Sequence, residues 1–443
     1  ASMKIQIQNP NTSKTSSPPE LMNAASTGNV LMVLPDDMNI ASATRAMKQA
    51  GFSSAVSSDF RSGKTRIPDL GEDLDAVIYA SLGICLIRGA AAGTAMAAMN
   101  KRSGQNGILI EPERYVRAFG IPDYLAGYRD GVADATARLA DRVGALPSPA
   151  AAETPAASEE SQWTWGLQTI GVPGASWTGA GVRLAVLDTG FATQHPDFKG
   201  RGVTTKVFTG EDSIEDVQGH GTHCIGIAAG SKAPAQGPRY GVACEAEIFA
   251  GKVLDDSGSG TDGDIIKGIE WAVMNKCAVI SMSLGAAVYG PGHSRAFETL
   301  ARRALKAGTL IVAAAGNESY RPDQIAPVAH PANCPSILSV AAVDPALQVA
   351  FFSCGGVYGE GGQVDIAAPG VDVYSSWPEA RGGLYHRMPG TSMAAPHVAG
   401  VAALLAQSDA TLRGRALWDA LTGRAQALPL PERDVGVGLV RVS

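Results

Sequence analysis

Three segments of the chain each place one reactive side chain where a predicted strand ends or a predicted helix begins. Asp188 follows the apolar run LAVL, His220 lies in the sequence GHGTH, and Ser392 precedes the helical pattern MAAPHVAGVAALL. A serine hydroxyl is a weak nucleophile unless an imidazole takes its proton, and the imidazole needs a buried carboxylate to orient it. The three side chains therefore predict a nucleophile at Ser392, a general base at His220 and an orienting carboxylate at Asp188.

Chemistry of this kind also needs hydrogen-bond donors for the negative oxygen of a tetrahedral intermediate. The run AAAGN, residues 313–317, is typical of a buried strand that ends in a glycine and then presents the amide of Asn317. The backbone N–H of Ser392 is a second donor, because Ser392 starts a helix. Asn317 is therefore predicted to stabilise an oxyanion.

These side chains require a scaffold that brings distant segments of the chain to one edge of a sheet. After Trp165, short apolar runs bounded by glycine alternate with helical stretches. The clearest runs are Val182–Leu187, Ile248–Val253, Ala278–Met282 and Leu310–Ala315. Such runs are typical of parallel strands that are buried on both faces. Residues 162–443 are therefore predicted to form an α/β domain with a doubly wound, mostly parallel sheet and a site at its carboxyl edge.

Three regions precede this predicted domain. Residues 1–27 are polar and lack periodicity, which predicts a disordered leader. Residues 28–119 alternate apolar runs with helical patterns in an order that predicts a small α+β, ferredoxin-like domain. Residues 120–161 contain an amphipathic pattern and then the run PSPAAAETPAASEES. They are predicted to form a helix followed by a linker.

Five motifs carry a resemblance to a known family. In this order, DTG, HGTH, SLG, AAAGN and GTSMAAPHVAG resemble the motifs of the subtilisin-like serine proteases, the subtilase or peptidase S8 family. The chain order Asp, His, Ser is also that of subtilisin. The resemblance implies a serine endopeptidase that acts on peptides or proteins through Asp188, His220, Ser392 and Asn317 and requires no cofactor.

The resemblance also implies a cleft that binds an extended peptide between two strand edges by β-augmentation. One edge is Gly258, Ser259 and Gly260, and the other is Ser283, Leu284 and Gly285. The walls of the S1 pocket are implied to be the second edge together with Ala314, Ala315 and Gly316. Ala329 stands where many relatives have glycine, which predicts a shallower S1 pocket. We expect S1 to prefer apolar side chains, and Asp262 to favour a polar or basic residue near S4.

Residues 28–119 resemble a subtilase propeptide, which implies a zymogen that this domain inhibits and that processes itself. The segment ending at Phe119 resembles a tail that lies in the cleft, so we expect cleavage between Phe119 and Gly120. Cleavage in the linker is the alternative, because linkers are exposed to proteolysis. An alternative function is a catalytically idle, protease-like binding protein that its N-terminal domain holds shut.

Metal binding is predicted to be weak or absent at the position that relatives use for calcium. The corresponding loop, Gly230–Pro238, lacks carboxylates, although Asp197 matches a family calcium ligand. We therefore expect no high-affinity calcium in this loop, while calcium elsewhere stays open. His220 and His223 could instead pair on a metal, but no glutamate of an HExxH motif accompanies them. The six cysteines have no CxxC spacing, which predicts buried free thiols.

Composition excludes several classes of partner. With 36 Lys and Arg against 42 Asp and Glu, the net charge of −6 argues against nucleic acid and anionic membranes. Neither GxGxxG nor GxxxxGK[ST] follows the first strand, which argues against a nucleotide-binding protein. We expect a monomer without nucleic-acid or membrane partners. We expect a cytoplasmic enzyme if Met3 is the native start, and a secreted one if a leader preceded it.

Overall fold

The structure is a computed structural model that describes residues 26–34, 39–49, 51–57, 74–89, 109–119, 162–359 and 361–443. Several predictions fall outside these ranges. They are the leader up to residue 25 and the helix and linker of 120–161, including Gly120. Nothing in the structure bears on them.

A parallel sheet forms the centre of the C-terminal region. Within the described ranges its strands are β6 (Arg183–Asp188), β7 (Val203–Val207), β8 (Glu247–Lys252), β10 (Val279–Met282), β12 (Leu310–Ala314), β13 (Leu338–Val343) and β14 (Ile366–Pro369). Their order across the sheet is β14-β13-β12-β10-β6-β8-β7, and every pairing is parallel. Strands β10, β12 and β13 are buried at every residue, so both faces of the sheet are covered. The predicted α/β domain with a mostly parallel sheet is confirmed.

Helices pack on this sheet and supply two of the reactive side chains. They are α2 (Trp165–Thr169), α3 (His220–Ala229), α4 (Asp262–Met274), α5 (Arg295–Lys306), α6 (Thr391–Ser408), α7 (Arg415–Gly423) and α8 (Glu432–Val435). The first sixteen residues of α6 are all buried, because α6 contacts both the sheet and α3. A separate hairpin, β15 (Val373–Ser376) and β16 (Tyr385–Met388), packs beside α3.

The N-terminal ranges form a second, mostly antiparallel sheet. Its elements are β1 (Ser26–Val33), α1 (Ile40–Gln49), β2 (Ser54–Val56), β3 (Ala76–Tyr79), β4 (Ile84–Ile87) and β5 (Leu109–Ala118). Across the sheet the order is β5-β1-β4-β3-β2. One bound differs from the sequence prediction. Strand β1 begins inside the predicted leader, since Thr27 hydrogen-bonds to Glu113. Strand β5 continues to Ala118, because its second half pairs with the C-terminal region.

Two carboxylates on β5 attach the N-terminal sheet to the helices α4 and α5. Glu113 accepts the N–H of Gly263 at 3.0 Å, at the start of α4. Glu111 accepts the N–H of Arg295 and the hydroxyl of Ser294, both at 2.6 Å, at the start of α5. Negative groups are favourable at a helix N-terminus, where backbone N–H groups lack partners. These contacts place β5 across the carboxyl side of the parallel sheet.

Two further sequence predictions can be compared with the fold. All six cysteines are buried and free, as predicted. Among the helices of the described ranges, none combines the length and the apolar character that a membrane crossing requires.

Candidate active site

Asp188 and His220 meet at the carboxyl end of β6. Oδ1 of Asp188 lies 2.8 Å from Nδ1 of His220 and also accepts the N–H of Thr189 at 2.8 Å. Both side chains are essentially inaccessible to solvent. The helix and the strand end approach closely at Gly221, where a Cβ would lie 2.5 Å from the oxygen of Gly190. Glycine is therefore required for this contact between imidazole and carboxylate.

The environment of His220 fixes its protonation behaviour. Burial alone lowers the pKa of His220, but the adjacent Asp188 carboxylate outweighs burial and raises this pKa well above its usual value. Nε2 of His220 is buried and has no hydrogen-bond partner among the described residues. Since Nδ1 faces Asp188, Nε2 is the nitrogen that remains available to accept a proton.

Asp216, which the sequence analysis missed, binds the strand end and α3 together. Its Oδ1 accepts the hydroxyl of Thr189 and the N–H of Gly219, each at 2.8 Å. Its Oδ2 accepts the N–H of Thr222 at 2.7 Å. An aspartate four residues before the start of a helix was the available signal, because carboxylates are frequent helix caps.

Ser392 lies in the first turn of α6, completely buried. Its Oγ donates to the carbonyl oxygen of Phe119 at 3.0 Å. Pro396 has no N–H and therefore cannot bond the carbonyl of Ser392 four residues earlier. That carbonyl accepts instead the hydroxyl of Ser283 at 2.8 Å and the thiol of Cys224 at 3.5 Å. Because Pro396 leaves this carbonyl free, the start of α6 is bonded to both α3 and the edge that contains Ser283.

Asn317 reaches the same carbonyl oxygen of Phe119. Its Nδ2 donates to this oxygen at 3.1 Å. Its Oδ1 accepts the N–H and the hydroxyl of Thr391, at 2.9 and 2.8 Å, which fixes the orientation of the amide. Two donors, Asn317 Nδ2 and Ser392 Oγ, therefore converge on one carbonyl group of the chain.

The last residues of β5 lie as the central strand between two edges. Strand β9 (Ser259–Thr261) pairs with β5 on one side, with Val116 opposite Gly260. Strand β11 (Leu284–Gly285) pairs on the other side, with Leu284 opposite Ala118. Two bonds complete the ladder, from the N–H of Ala118 to the oxygen of Gly258 at 2.9 Å and from the N–H of Phe119 to the oxygen of Ser283 at 3.4 Å. The predicted edge residues are thus brought together around one extended segment.

The side chain of Phe119 is largely buried beside the second edge. A Cβ on Gly285 would lie 2.6 Å from its ring, so glycine makes room for it. Just after β12, a Cβ on Gly316 would lie 3.0 Å from the Cβ of Ala329 and 2.5 Å from Oε2 of Glu318. Ala329 also donates its N–H to the oxygen of Ala315 at 2.8 Å. The predicted wall residues 314–316 and Ala329 therefore lie together.

Asp262 contacts the strand that occupies the cleft. Its Oδ2 accepts the N–H of Arg114 at 3.0 Å and lies 3.5 Å from the guanidinium of the same residue. Its Oδ1 lies 2.9 Å from Nε2 of His330. The side chain against Asp262 is thus that of Arg114, five residues before Phe119, and the polar or basic preference near S4 stays a prediction.

The position of the family's calcium ligand does not have the donor set of a calcium site. Asp197 accepts the hydroxyls of Tyr240 at 2.6 Å and of Tyr385 at 3.1 Å. It also accepts the N–H of Ala235 at 2.7 Å. Calcium needs six to eight oxygen ligands, whereas these three partners are hydrogen-bond donors aimed at the carboxylate. The residues present do not fit the ion.

Two other candidate metal groups can be judged from their contacts. Among the described residues, Asp188, His220 and Cys224 place ligand atoms within 4.8 Å of one another, but Asp188 and His220 are hydrogen-bonded to each other. Nε2 of His223 lies 3.0 Å from the oxygen of His386, on β16. Burial lowers the pKa of His223 to about 3, so this ring stays neutral. The geometry favours a structural role for His223.

Comparison with known proteins agrees with this arrangement. The model of the subtilase family matches residues 179–438. The chain is 39% identical to the subtilisin of Bacillus pumilus over 268 residues. This match covers 60% of this chain and 92% of that protein. The solved structure of sphericase covers 63% of this chain and 98% of its own, with a TM-score of 0.54 and 32% identity. A cold-adapted subtilisin-like serine proteinase gives a TM-score of 0.53 and 33% identity, covering 63% of this chain and 97% of its own. The chain therefore belongs to the subtilase family and is a subtilisin-like serine endopeptidase, as its motifs predicted.

Proposed function

We propose that the chain cleaves peptide bonds with Ser392 as nucleophile, His220 as general base, Asp188 as orienting carboxylate and Asn317 as oxyanion donor. We further propose that it is made as a zymogen that cleaves itself after Phe119. One observation carries both proposals. The carbonyl oxygen of Phe119 lies within hydrogen-bond distance of both Ser392 Oγ and Asn317 Nδ2.

The chemistry follows from the roles of these atoms. Ser392 Oγ attacks the carbonyl carbon, and its proton passes to Nε2 of His220. Asp188 stabilises the imidazolium through Nδ1, at 2.8 Å. The negative oxygen is stabilised by Asn317 Nδ2. His220 then donates the proton to the leaving amine, which leaves an acyl-enzyme that water hydrolyses by the same steps in reverse order.

The N-terminal region acts in this proposal as an intramolecular inhibitor. Support comes from β5, which pairs with both edges of the cleft and fills it up to Phe119. Further support comes from Glu111 and Glu113, which hold β5 on α4 and α5 outside the cleft. Because β5 is bound at several points, it dissociates slowly from the cleft and so blocks the binding of other substrates. No cofactor takes part, and a single copy of the chain contains every group that the mechanism uses.

The cleavage site distinguishes this proposal from processing in the linker. After storage of the purified full chain, N-terminal sequencing of the large product should give Gly120 as its first residue. Phe119→Asp should slow processing strongly, because an apolar pocket receives a charged side chain. A first residue between 148 and 165, or unchanged processing of the Phe119 variant, would contradict cleavage after Phe119.

Labelling with a fluorophosphonate tests the catalytic roles directly. The processed protein should bind one equivalent of the reagent at Ser392, and Ser392→Ala should bind none and hydrolyse no casein. Ser408→Ala serves as the matched control, since this serine lies at the far end of α6, where its hydroxyl donates to the oxygen of Leu405. If the processed protein fails to react, the chain is instead an idle, protease-like binding protein.

A further inference from the structure

Lys252 is a buried charged residue that the proposed mechanism does not use. It is the last residue of β8, directly opposite Asp188 in the sheet register, and its side chain is 0% exposed. A buried ammonium group is expensive unless each of its N–H groups has a partner. The partners of Lys252 therefore show what the residue holds together.

Three oxygens accept hydrogen bonds from the Lys252 ammonium group. They are the carbonyl oxygen of Thr189 at 2.7 Å, the carbonyl oxygen of Glu215 at 3.3 Å, and Oδ1 of Asp256 at 2.6 Å. The carboxylate of Glu211 adds an ion pair at 3.0 Å, and it also accepts the N–H of Asp256 at 2.9 Å. Burial opposes the charge, but these carboxylates outweigh it and raise the pKa of Lys252. The ammonium group is thus charged and fully bonded.

Two of these partners belong to the segments that hold the Asp188–His220 pair. Thr189 follows Asp188 and donates its N–H to the Asp188 carboxylate. Glu215 precedes Asp216, which binds both Thr189 and the start of α3. Lys252 therefore fixes the backbone on which the carboxylate and the imidazole are oriented.

The third partner belongs to the turn that leads into the substrate-binding edge. Oδ1 of Asp255 accepts the N–H groups of Ser257 and Ser259, at 2.9 and 3.0 Å, and so closes this turn. Asp256 connects the same turn to Lys252. The edge itself packs on the backbone at Val253, since a Cβ on Gly260 would lie 2.3 Å from the Val253 oxygen. The turn, through Asp256, and the edge, through Val253, are thus both connected to Lys252.

We propose that Lys252, acting with Asp256, is a positioning residue that fixes the edge Gly258–Gly260 relative to the Asp188–His220 pair. An extended peptide that binds along this edge then brings its scissile carbonyl to Ser392. The inference rests on the proposed function and deepens it. It assigns to a buried cation, Lys252, the alignment of the substrate residues that precede the cleaved bond. Substrates that do not reach the edge do not depend on Asp256.

Two substrates separate alignment along the edge from the chemistry at Ser392. One is a tetrapeptide anilide with phenylalanine at P1, which spans the edge, and the other is an ester of acetyl-phenylalanine, which reaches S1 alone. The variants are Lys252→Met and the milder Asp256→Asn, whose carboxylate is 46% exposed. Lys199→Met and Asp212→Asn, both at exposed positions, are the matched controls. Concentrations of active sites are set by fluorophosphonate titration of the processed full chain.

The expected result is a selective loss. Because a misplacement of about 1 Å can cost about 100-fold, Lys252→Met should lower kcat/KM for the tetrapeptide about 100-fold and Asp256→Asn about 10-fold. For the ester, Asp256→Asn should stay within about threefold of the parent, with an unshifted acid limb of the pH profile. Lys252→Met should also lower the rate with the ester, because it removes the bonds to Thr189 and Glu215 beside the Asp188–His220 pair. Equal losses for the two substrates in Asp256→Asn, or a tetrapeptide rate at the parent level in either variant, would overturn the proposal.

A second measurement does not depend on turnover or on the proposed function. In full-length Ser392→Ala, the amides of Ser259–Thr261 should exchange hydrogen about 10-fold faster when Asp256→Asn is added, while those of β12 stay unchanged. An unchanged exchange rate at Ser259–Thr261 would overturn the inference even if the enzyme is active. Conversely, an inactive parent protein with the expected exchange pattern would contradict only the proposed function.

Discussion

Asn317 is held in place before any charge develops on a substrate. Thr391 fixes its Oδ1, so its Nδ2 already points at the carbonyl oxygen of Phe119. Preorganised donors of this kind act mainly in the transition state. Asn317→Ala should therefore lower kcat by about 10² to 10³ while KM changes little.

Steady-state kinetics of the processed enzyme with a peptide anilide measure this effect. Asn333→Ala is the control, because the amide of Asn333 binds the oxygen of Gly292 instead. A loss of less than about threefold in kcat for the Asn317 variant would remove it from the oxyanion site.

The pH dependence of activity should report the environment of His220. Burial lowers the pKa of His220, yet the Asp188 carboxylate raises it overall above the usual 6.5. A general base works only when neutral, so kcat/KM should fall as the pH drops through a midpoint above 6.5. Asp188→Asn removes the stabilisation of the imidazolium, so the midpoint should move to lower pH as activity falls. Rate profiles between pH 5 and 10 test this, and a midpoint that stays fixed or rises would contradict the pairing.

At the scale of elements, a buried carboxylate on β5 joins this strand to α4. Glu113 accepts hydrogen bonds from Thr27, Asn29 and the N–H of Gly263. Removing this buried acceptor leaves the three donors unsatisfied, and each unsatisfied donor costs about 1 to 3 kcal/mol of stability. Glu113→Ala should therefore speed release of the N-terminal region after processing by about 10-fold or more.

Size-exclusion chromatography of the processed chain over time measures how long the N-terminal fragment stays bound. Glu379→Ala, a change at an exposed position in a short 3₁₀ turn, is the control. A Glu113 variant that retains its fragment as long as the control would show that the contacts of Glu113 add nothing to binding.

For the whole molecule, stability should not depend on calcium at the usual position of this family. Asp197 is already satisfied by Tyr240, Tyr385 and Ala235 through hydrogen bonds. EDTA should therefore leave the melting temperature unchanged within about 2 °C, whereas Tyr240→Phe should destabilise the fold by about 1 kcal/mol or more. Calorimetry with and without EDTA decides. A fall of many degrees that calcium reverses would contradict this reading of the loop.

Local patterns in the sequence were sufficient for the main features of the fold and for the candidate catalytic residues. Continuous apolar runs predicted the parallel strands, because a strand buried on both faces needs an apolar residue at every position. Asp188, His220, Asn317 and Ser392 each lie in a short motif whose residue types are needed for close backbone approach or for helix initiation. Such requirements are local, so they can be read without knowing what lies across the sheet.

Only the tertiary structure revealed the residues that act through distant partners. Lys252 bonds Thr189 from 63 positions away, and nothing near either residue in the sequence predicts that contact. Asp256 lies only four positions after Lys252, yet it is the fold that makes its carboxylate a counterion of that buried lysine. Strand β5 extends to Ala118 because both of its cleft partners come from the second half of the chain. A buried charge or an added strand is stable only when its partners are in place, and the folded chain alone brings them together.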